Sequence, residues 1–429
     1  MQVLTNSHFP VAIVGGGQAG LSISYCLKQR GIDHIIFEKH KIAHSWRSKR
    51  WDSFCLVTPN WQCMLPGYPY PGNDPDGFMQ RDDIVQYIED YARSFTPLLK
   101  EGVTVDKISK PENVFKIDTS IGHYIADQVV IATGGYHTPK IPRIAERLPS
   151  HITQLHSSEY KNPETLPAGD VLVVGTGQSG CQIAEDLHLA GRQVHLCVGG
   201  APRAPRAYRG KDVVDWLDQM GYYDMPIDDH PQKESVRTKT NHYVTGRGGG
   251  REIDLRRFAL EGMRLYGKLK SIKGEYLELK DDLRHNLDQA DAVAESIKQT
   301  IDAYIDKNQL DAPTEPPYQV VWQPETSLLS LDVAAANIST VIWSTGYHTD
   351  FSWIDIPVFD GKGYPGHERG VTPTQGLYFL GLPWLYTWGS GRFSGIARDA
   401  NYLADCIALK NRVLPRQLSR TVNEVALGS

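Results

Sequence analysis

The chain has 429 residues, more than a single core organises, with 41% hydrophobic residues, 22% charged residues and a net charge of −5. That balance leaves no basic field for nucleic acid or an anionic membrane, and no apolar run reaches the roughly 20 residues of a membrane helix. Six cysteines (26, 55, 63, 181, 197, 406) show neither CxxC nor metal-type spacing, and no basic leader precedes the first apolar run. The expectation is a reducing, cytoplasmic setting without a bound metal.

In chain order, Val11–Val14 reads as a buried strand, followed by a glycine turn, a helix over Gln18–Arg30 and a second strand, His34–Phe37, ending at Glu38. From Ile42 to Gly77 the texture turns irregular and rich in Trp, Pro and Gly, as functional loops are. Helical spacing returns at Arg81–Phe95, where Ile84, Tyr87, Ile88 and Tyr91 form one stripe. Short strands are expected at Val103–Ile108, Val114–Ile117 and Gln128–Ile131, the last running into ATGG at Ala132–Gly135. A second strand–turn–helix–strand unit covers Val171–Val174, Gln178–Ala190 and Gln193–Val198. An arginine- and proline-rich segment comes next, then TGRGGGR at Thr245–Arg251. Asp281–Leu310 reads as one amphipathic helix, expected to face a core or a partner. Strand Thr340–Trp343 leads into STGY at Ser344–Tyr347, and strand Gly376–Gly381 leads into a glycine-rich turn that opens a helix.

Gly15, Gly17 and Gly20 form GxGxxG directly after a strand and at the start of a helix. The first glycine permits the tight turn, the second lets backbone approach a pyrophosphate, and the third lets helix and strand pack closely. Gln18 and Ala19 open the helix whose free amides would hold the phosphates. Glu38 ends the next strand, where a carboxylate accepts ribose hydroxyls. Gly175, Gly177 and Gly180 repeat the pattern, with Gln178 and Ser179 opening the second helix, but the strand after it ends in Cys197-Val198-Gly199-Gly200 with no acid. Arg203 and Arg206 come next, and a guanidinium pairs well with a 2′-phosphate. The first loop therefore suits FAD and the second NADPH, and the two together suit electron transfer from one to the other.

With these pieces in place the chain resembles class B flavoprotein monooxygenases: flavin-containing monooxygenases, YUCCA-type enzymes and CzcO-like flavoproteins. The likeness runs nearly end to end, through both glycine loops, ATGG, STGY and WDSFCLVTPNWQCMLPGYPYP with its adjoining helix. The family fingerprint FxGxxxHxxx(F/W/Y) finds His156 and Tyr160 in SHITQLHSSEY, with Ser150 and Ile152 in place of the Phe and Gly. The wording of the Ala204–Pro313 insertion resembles a bacterial subgroup encoded beside nitrilases. The resemblance implies that Asn60 lies by the flavin and stabilises its C4a-hydroperoxide, in a pocket kept dry by Trp46 and Trp51. It places Lys39, Arg47, Thr58, Met79 and Arg81 against FAD, and Val105 as a backbone clamp on adenine. Ala132, Thr133, Gly134 and Gly346 would border the dinucleotides. Ser394 and Gly395, in the turn GSGRFSG, would face the flavin pyrimidine edge, with Arg392 serving flavin or substrate.

The expected fold is α/β with two Rossmann-like dinucleotide-binding domains. The FAD domain spans 1–165 and 314–429. The NADP domain spans 166–313 and carries a partly helical insertion (helix about 281–310). The expected activity is FAD-dependent, NADPH-consuming insertion of one oxygen atom from O2 into a small organic substrate by a single polypeptide, possible as a homodimer. Two other readings stay open: an NAD(P)H-dependent flavoprotein reductase or dehydrogenase without oxygen transfer, and a non-enzymatic flavoprotein.

Overall fold

In a computed structural model that describes residues 7–425, two parallel-dominated sheets carry the architecture. The first sheet has eight strands, with Ser7–Val14 at its centre, paired in parallel with His34–Glu38 on one side and Gly122–Ile131 on the other. Leu99–Glu101 closes one edge. On the other side Gly122–Ile131 continues into an antiparallel meander with Phe115–Thr119 and Val105–Ser109. The second sheet has five parallel strands in the order Thr153–His156, Ile338–Trp343, Asp170–Val174, Val194–Cys197, Arg264–Tyr266.

The central strands end in apolar runs, Val11–Val14, Val129–Ile131 and Val171–Val174, because both of their faces are covered there. Val11 and Ile13 pack into the same core as the helix Gln18–Gln29, while Ala12 and Val14 face a second cluster around Phe115, Ile117 and Phe379. The second sheet repeats this arrangement: Val171 and Val173 share the first core, and Leu172 and Val174 join the cluster of Leu277, Leu331 and Trp343.

Two elements extend past the boundaries expected for the second unit. Its sheet takes Thr153–His156 from before residue 166 and Ile338–Trp343 from after residue 313. The reason is a second meander, Leu269–Lys273, Tyr276–Leu279 and Ser330–Asp332, which matches the meander of the first sheet and feeds Ile338–Trp343 back between Thr153–His156 and Asp170–Val174. The long helix, Leu283–Asn308, interrupts this second meander between its second and third strands. In the first meander the strand expected at Gln128–Ile131 begins earlier, at Gly122, because its first half is a solvated hairpin arm with no apolar run.

The long helix faces inward along the expected stripe. Leu283, Leu287 and Ala290 enter the main core, and Ile301 and Ile305 pack with Trp216 and Tyr208. Arg256, 1% exposed, bolts it to the second sheet's helix Leu255–Leu260 by ion pairs to Asp288 (2.6 Å) and Asp291 (2.8 Å) and a bond to the Trp322 carbonyl (2.9 Å). Arg256→Ala removes one side of a buried ionic network and is expected to cost about 3 kcal/mol, read from the shift in denaturant midpoint. A loss below about 0.5 kcal/mol, the scale of an ordinary surface substitution, would show that the insertion is held by apolar packing alone.

Candidate cofactor cleft

The two glycine loops are built to one plan. Gly15 (φ +105°) and Gly175 (φ +106°) occupy the left-handed region, and a Cβ on either would stand 2.7 Å from a carbonyl oxygen, that of Ala132 or of Ser344. A Cβ on Gly20 would meet the Gly15 carbonyl at 1.8 Å, and one on Gly180 the Gly175 carbonyl at 2.0 Å. These are the positions where strand, turn and helix touch through backbone alone. Gly17, by contrast, faces open space, and Gly177 has only the Thr240 methyl at 3.7 Å. Both cap their helices without a side-chain hydrogen bond, and neither helix has an acid in its first turn. Each loop thus presents unpaired helix amides to a gap that an anionic group fills.

ATGG and STGY stand in the same relation to the two loops. Ala132 N–H donates to Val14 O (2.8 Å), and Ser344 N–H donates to Val174 O (2.9 Å). Beside these contacts, Thr133 Oγ1 and Ser344 Oγ are buried without a protein partner, as is Ser394 Oγ in the turn GSGRFSG. Orphaned hydroxyls at both loops and at that turn are what a bound polar ligand satisfies. The donor set fits two dinucleotides.

The loops differ in the residues that border them. Glu38 accepts from Gly16 N–H through Oε2 (2.6 Å) and from His40 N–H through Oε1 (2.8 Å), which fixes a carboxylate beside the first loop. At the second loop Gly199 N–H donates to Thr176 Oγ1 (2.9 Å), and the Lys268 Nζ lies 3.7 Å from the Cβ position of Gly200. Lys268 is 44% exposed and only loosely paired with Asp282, at 3.8 Å.

Arg203 and Arg206 are a correction to the sequence reading. Each is 3% exposed. Arg203 is ion-paired with Glu252 (3.1 Å) and Asp291 (3.0 Å) and stacks on Tyr318. Arg206 pairs with Asp212 and donates to Val57 O. Their charge is spent inside the insertion, which leaves neither free for a 2′-phosphate. Asn60 is a second correction. Its amide nitrogen donates to Asp74 O (2.9 Å) and its amide oxygen accepts from Met79 N–H (2.7 Å), so it staples the irregular loop rather than offering a free amide to a peroxide. Met79 is buried in that staple. Arg47 is paired with Glu89, and Arg81 with Asp52 and Asp82. Trp51 packs in the core against Phe54 and Tyr160, Thr58 and Val105 are partly buried, and Lys39 is exposed. Val103 N–H donates to Glu38 O (2.9 Å), and Val105 starts the strand Val105–Ser109.

Other expected residues do converge. Gln18 donates to Gly391 O (3.2 Å) and accepts from Trp46 Nε1 (3.3 Å), and Trp46 stacks on Phe393 at 5.6 Å. The turn Gly389–Gly395 therefore sits against the first loop, with Gly391 (φ +78°) so close to Gly381 that a Cβ would meet its carbonyl at 2.5 Å. His156 is built into the crossing between the sheets: it pairs with Ser158 and, through Nε2, with Gly346 O (2.9 Å), and burial holds its pKa down. Tyr160 donates to Asp186 (2.6 Å) on the second-loop helix. The crossing is closed by a short antiparallel pair, Thr138–Pro139 with Tyr347–His348.

Sequence reasoning missed Arg50, Asn241, Tyr136 and Tyr347, which gather where these segments meet. Tyr136 and Tyr347 come after the two TG turns, a repeated signal visible in TGGY and TGY. Their rings lie 5.5 Å apart. Arg50 stacks on Trp46 (5.2 Å) and Phe54 (5.4 Å), and Arg392 stacks on Trp388 (4.0 Å), donating to Trp388 O and to Asn241 Oδ1 (3.2 Å). Desolvation lowers the pKa of both guanidinium groups.

Comparison with known proteins agrees with this construction. Residues 12–246 match the family described as "Pyridine nucleotide-disulphide oxidoreductase". An uncharacterized CzcO-like oxidoreductase of Geobacillus kaustophilus is 34% identical over 400 residues, 92% of this chain and 97% of that protein. Indole-3-pyruvate monooxygenase YUCCA6 of Arabidopsis thaliana is 34% identical over 199 residues, 44% of this chain and 47% of that protein. A flavin-containing monooxygenase from Stenotrophomonas maltophilia shares the fold, with a TM-score of 0.63 at 17% identity over 94% of this chain and 99% of that one. Among the described residues no helix is long and apolar enough to cross a membrane.

Two sets of substitutions test the site, one at the cations and one at the glycines. Arg203→Ala and Arg206→Ala are each expected to destabilise by about 3–5 kcal/mol in chemical denaturation while leaving the NADPH-to-NADH ratio of kcat/KM unchanged. Lys268→Ala is expected to lower that ratio about tenfold at unchanged stability, the loss of one charge-assisted contact. Gly20→Ala is expected to destabilise by about 1–3 kcal/mol through overpacking. Gly17→Ala meets no neighbour and is expected to leave the thermal midpoint of apoprotein unchanged while weakening FAD retention on gel filtration. Equal effects of the two glycine changes on apoprotein stability would contradict the distinction.

Proposed function

The chain belongs to the pyridine nucleotide-disulphide oxidoreductase family, whose members use flavin and nicotinamide cofactors, and from that premise we propose that it is a single-component, FAD-dependent, NADPH-consuming monooxygenase acting on a small organic substrate. The observation that carries this reading is the pair of equivalent glycine loops with unequal surroundings, a fixed carboxylate at Glu38 beside the first and a loosely paired ammonium at Lys268 beside the second. The helix amides after Gly17 hold the FAD pyrophosphate, and Glu38 accepts from the ribose hydroxyls. The amides after Gly177 hold the NADPH pyrophosphate, and Lys268 takes the 2′-phosphate.

FAD bound here supplies hydride acceptance from NADPH and activation of O2. The chain contributes position and dryness. Trp46, Phe393 and Phe54 wall the first loop with aromatic surface, and the short strand pair at Tyr347–His348 holds the two halves in register. Water exclusion of this kind is what oxygen transfer needs from its protein. The YUCCA and Stenotrophomonas relatives, named for monooxygenase activity, support the same reading.

Disulphide reduction, the activity in the family description, asks for an accessible thiol pair. Here all six cysteines are free and five of them are buried, with burial raising Cys55 to about 11 and Cys63 to about 12. Thiols held so far above neutral pH are poor nucleophiles.

The test is rapid mixing of NADPH-reduced protein with O2 in the presence of NADP+. A transient flavin–oxygen adduct in the absorbance, then reoxidation coupled to oxygenated product, is expected. Direct return to oxidised flavin, with no intermediate, would make the protein a reductase or dehydrogenase.

A further inference from the structure

We propose that Arg50 and Arg392 form a clamp for the carboxylate of the organic substrate, at the crossing between the two dinucleotide loops. The assignment rests on the monooxygenase reading for calling the ligand a substrate; the anion site itself rests on the residues.

The insertion shows how this protein treats a buried guanidinium: Arg203, Arg206 and Arg256 each hold a carboxylate. Among the described residues Arg50 and Arg392 form no such ion pair, and the groups that bear on their charge are tyrosine phenols. Arg50 donates to the Lys49 carbonyl (3.0 Å) and lies against the Tyr347 phenol, and Arg392 uses its own donors on the Trp388 carbonyl and Asn241. A guanidinium has five N–H donors, so both keep donors in hand, and a half-buried cation with spare donors and no counter-charge is a site for an anion.

The two are linked through one aromatic cluster and one phenol. Arg50 stacks on one face of the packing around Trp46, and Trp46 stacks on Phe393, the residue next to Arg392 in the chain. Both guanidiniums lie within electrostatic reach of the Tyr136 phenol. Stacking on indoles fixes the planes of both groups, and that preorganisation lowers the entropic cost of two-point binding.

The surroundings favour an organic acid over a cofactor phosphate. Each glycine loop already presents its own helix amides to a pyrophosphate, and Lys268 lies beside Gly200 at the second. Around Arg392 the walls are aromatic, with Tyr223 at 4.6 Å from Trp388 and Tyr222 packed against Tyr223 at 5.6 Å. The chemistry that fits is a small carboxylate with an apolar or aromatic body.

Isothermal titration calorimetry of the FAD-containing protein with phenylacetate and with phenylacetamide, its neutral isostere, tests the clamp. Phenylacetate is expected to bind the wild type, and Arg50→Gln and Arg392→Gln are each expected to weaken it about tenfold or more. Phenylacetamide is expected to bind more weakly and equally in all three, and KM for NADPH to change less than about twofold, below the loss of one charged contact. Arg392→Lys, which keeps the charge without the fork, is expected to fall between, and Trp388 fluorescence quenching reports the same binding where flavin content differs. Equal binding of acid and amide overturns the proposal. So does a raised KM for NADPH with phenylacetate binding intact, which would assign the guanidiniums to a dinucleotide phosphate. The titration needs neither NADPH nor O2, so its failure is distinct from failure to see an oxygen adduct.

Discussion

Everything in this fold leans on a contact that leaves no room for a methyl group. At Gly20 and again at Gly180 a helix meets the turn before it so closely that a Cβ would lie within 2.0 Å of a carbonyl oxygen. That approach sets the angle at which each helix leaves its sheet, and so where its unpaired amides point. It also lets the crossing segments ATGG and STGY slide under the two turns, where Gly15 and Gly175 abut their carbonyls. The open face at Gly17 is the complement of that crowding. Open space remains at Gly17 while Gly15 and Gly20 on either side of it are closed by backbone.

Repetition of this unit explains much of the rest. Each half has a strand–helix–strand start, a three-stranded meander and a strand that ends in a TG turn, which in the first half is the meander's own last strand and in the second a further strand, Ile338–Trp343. The halves meet where the two TG turns cross, with Tyr136 against Tyr347 and His156 bonded to Gly346. Two sites built on one plan, and facing one crossing, are what electron transfer between two cofactors requires. Their difference lies outside the shared plan, in Glu38 on one side and Lys268 on the other.

How far the sequence was legible depends on the range of the forces involved. GxGxxG, the apolar strands around it and Glu38 are local in sequence, and their spacing exposed them. The boundary of the second unit was not legible, because Ile338–Trp343 joins its sheet only after a meander broken by a 26-residue helix. Arg203 was misread for the same reason: the acids that neutralise it lie at Glu252 and Asp291, and no local spacing announces a partner 88 residues away, whereas Arg206 meets Asp212 only six residues on. Asn60 has the residue type of a flavin contact, yet its two ends are spent on Asp74 and Met79. Arg50 carried no motif at all, and only the missing counter-charge in three dimensions sets it apart from its paired neighbours.

The central claim is that the second loop delivers a hydride to a flavin at the first. Anaerobic single-turnover mixing of the FAD-containing protein with NADPH, and with NADPH deuterated at C4, tests it most directly. Bleaching of the flavin absorbance at a rate slowed by deuterium on one face of the nicotinamide is the predicted result. Flavin that stays oxidised, or bleaching with no isotope effect on either face and no saturation in NADPH, would contradict it.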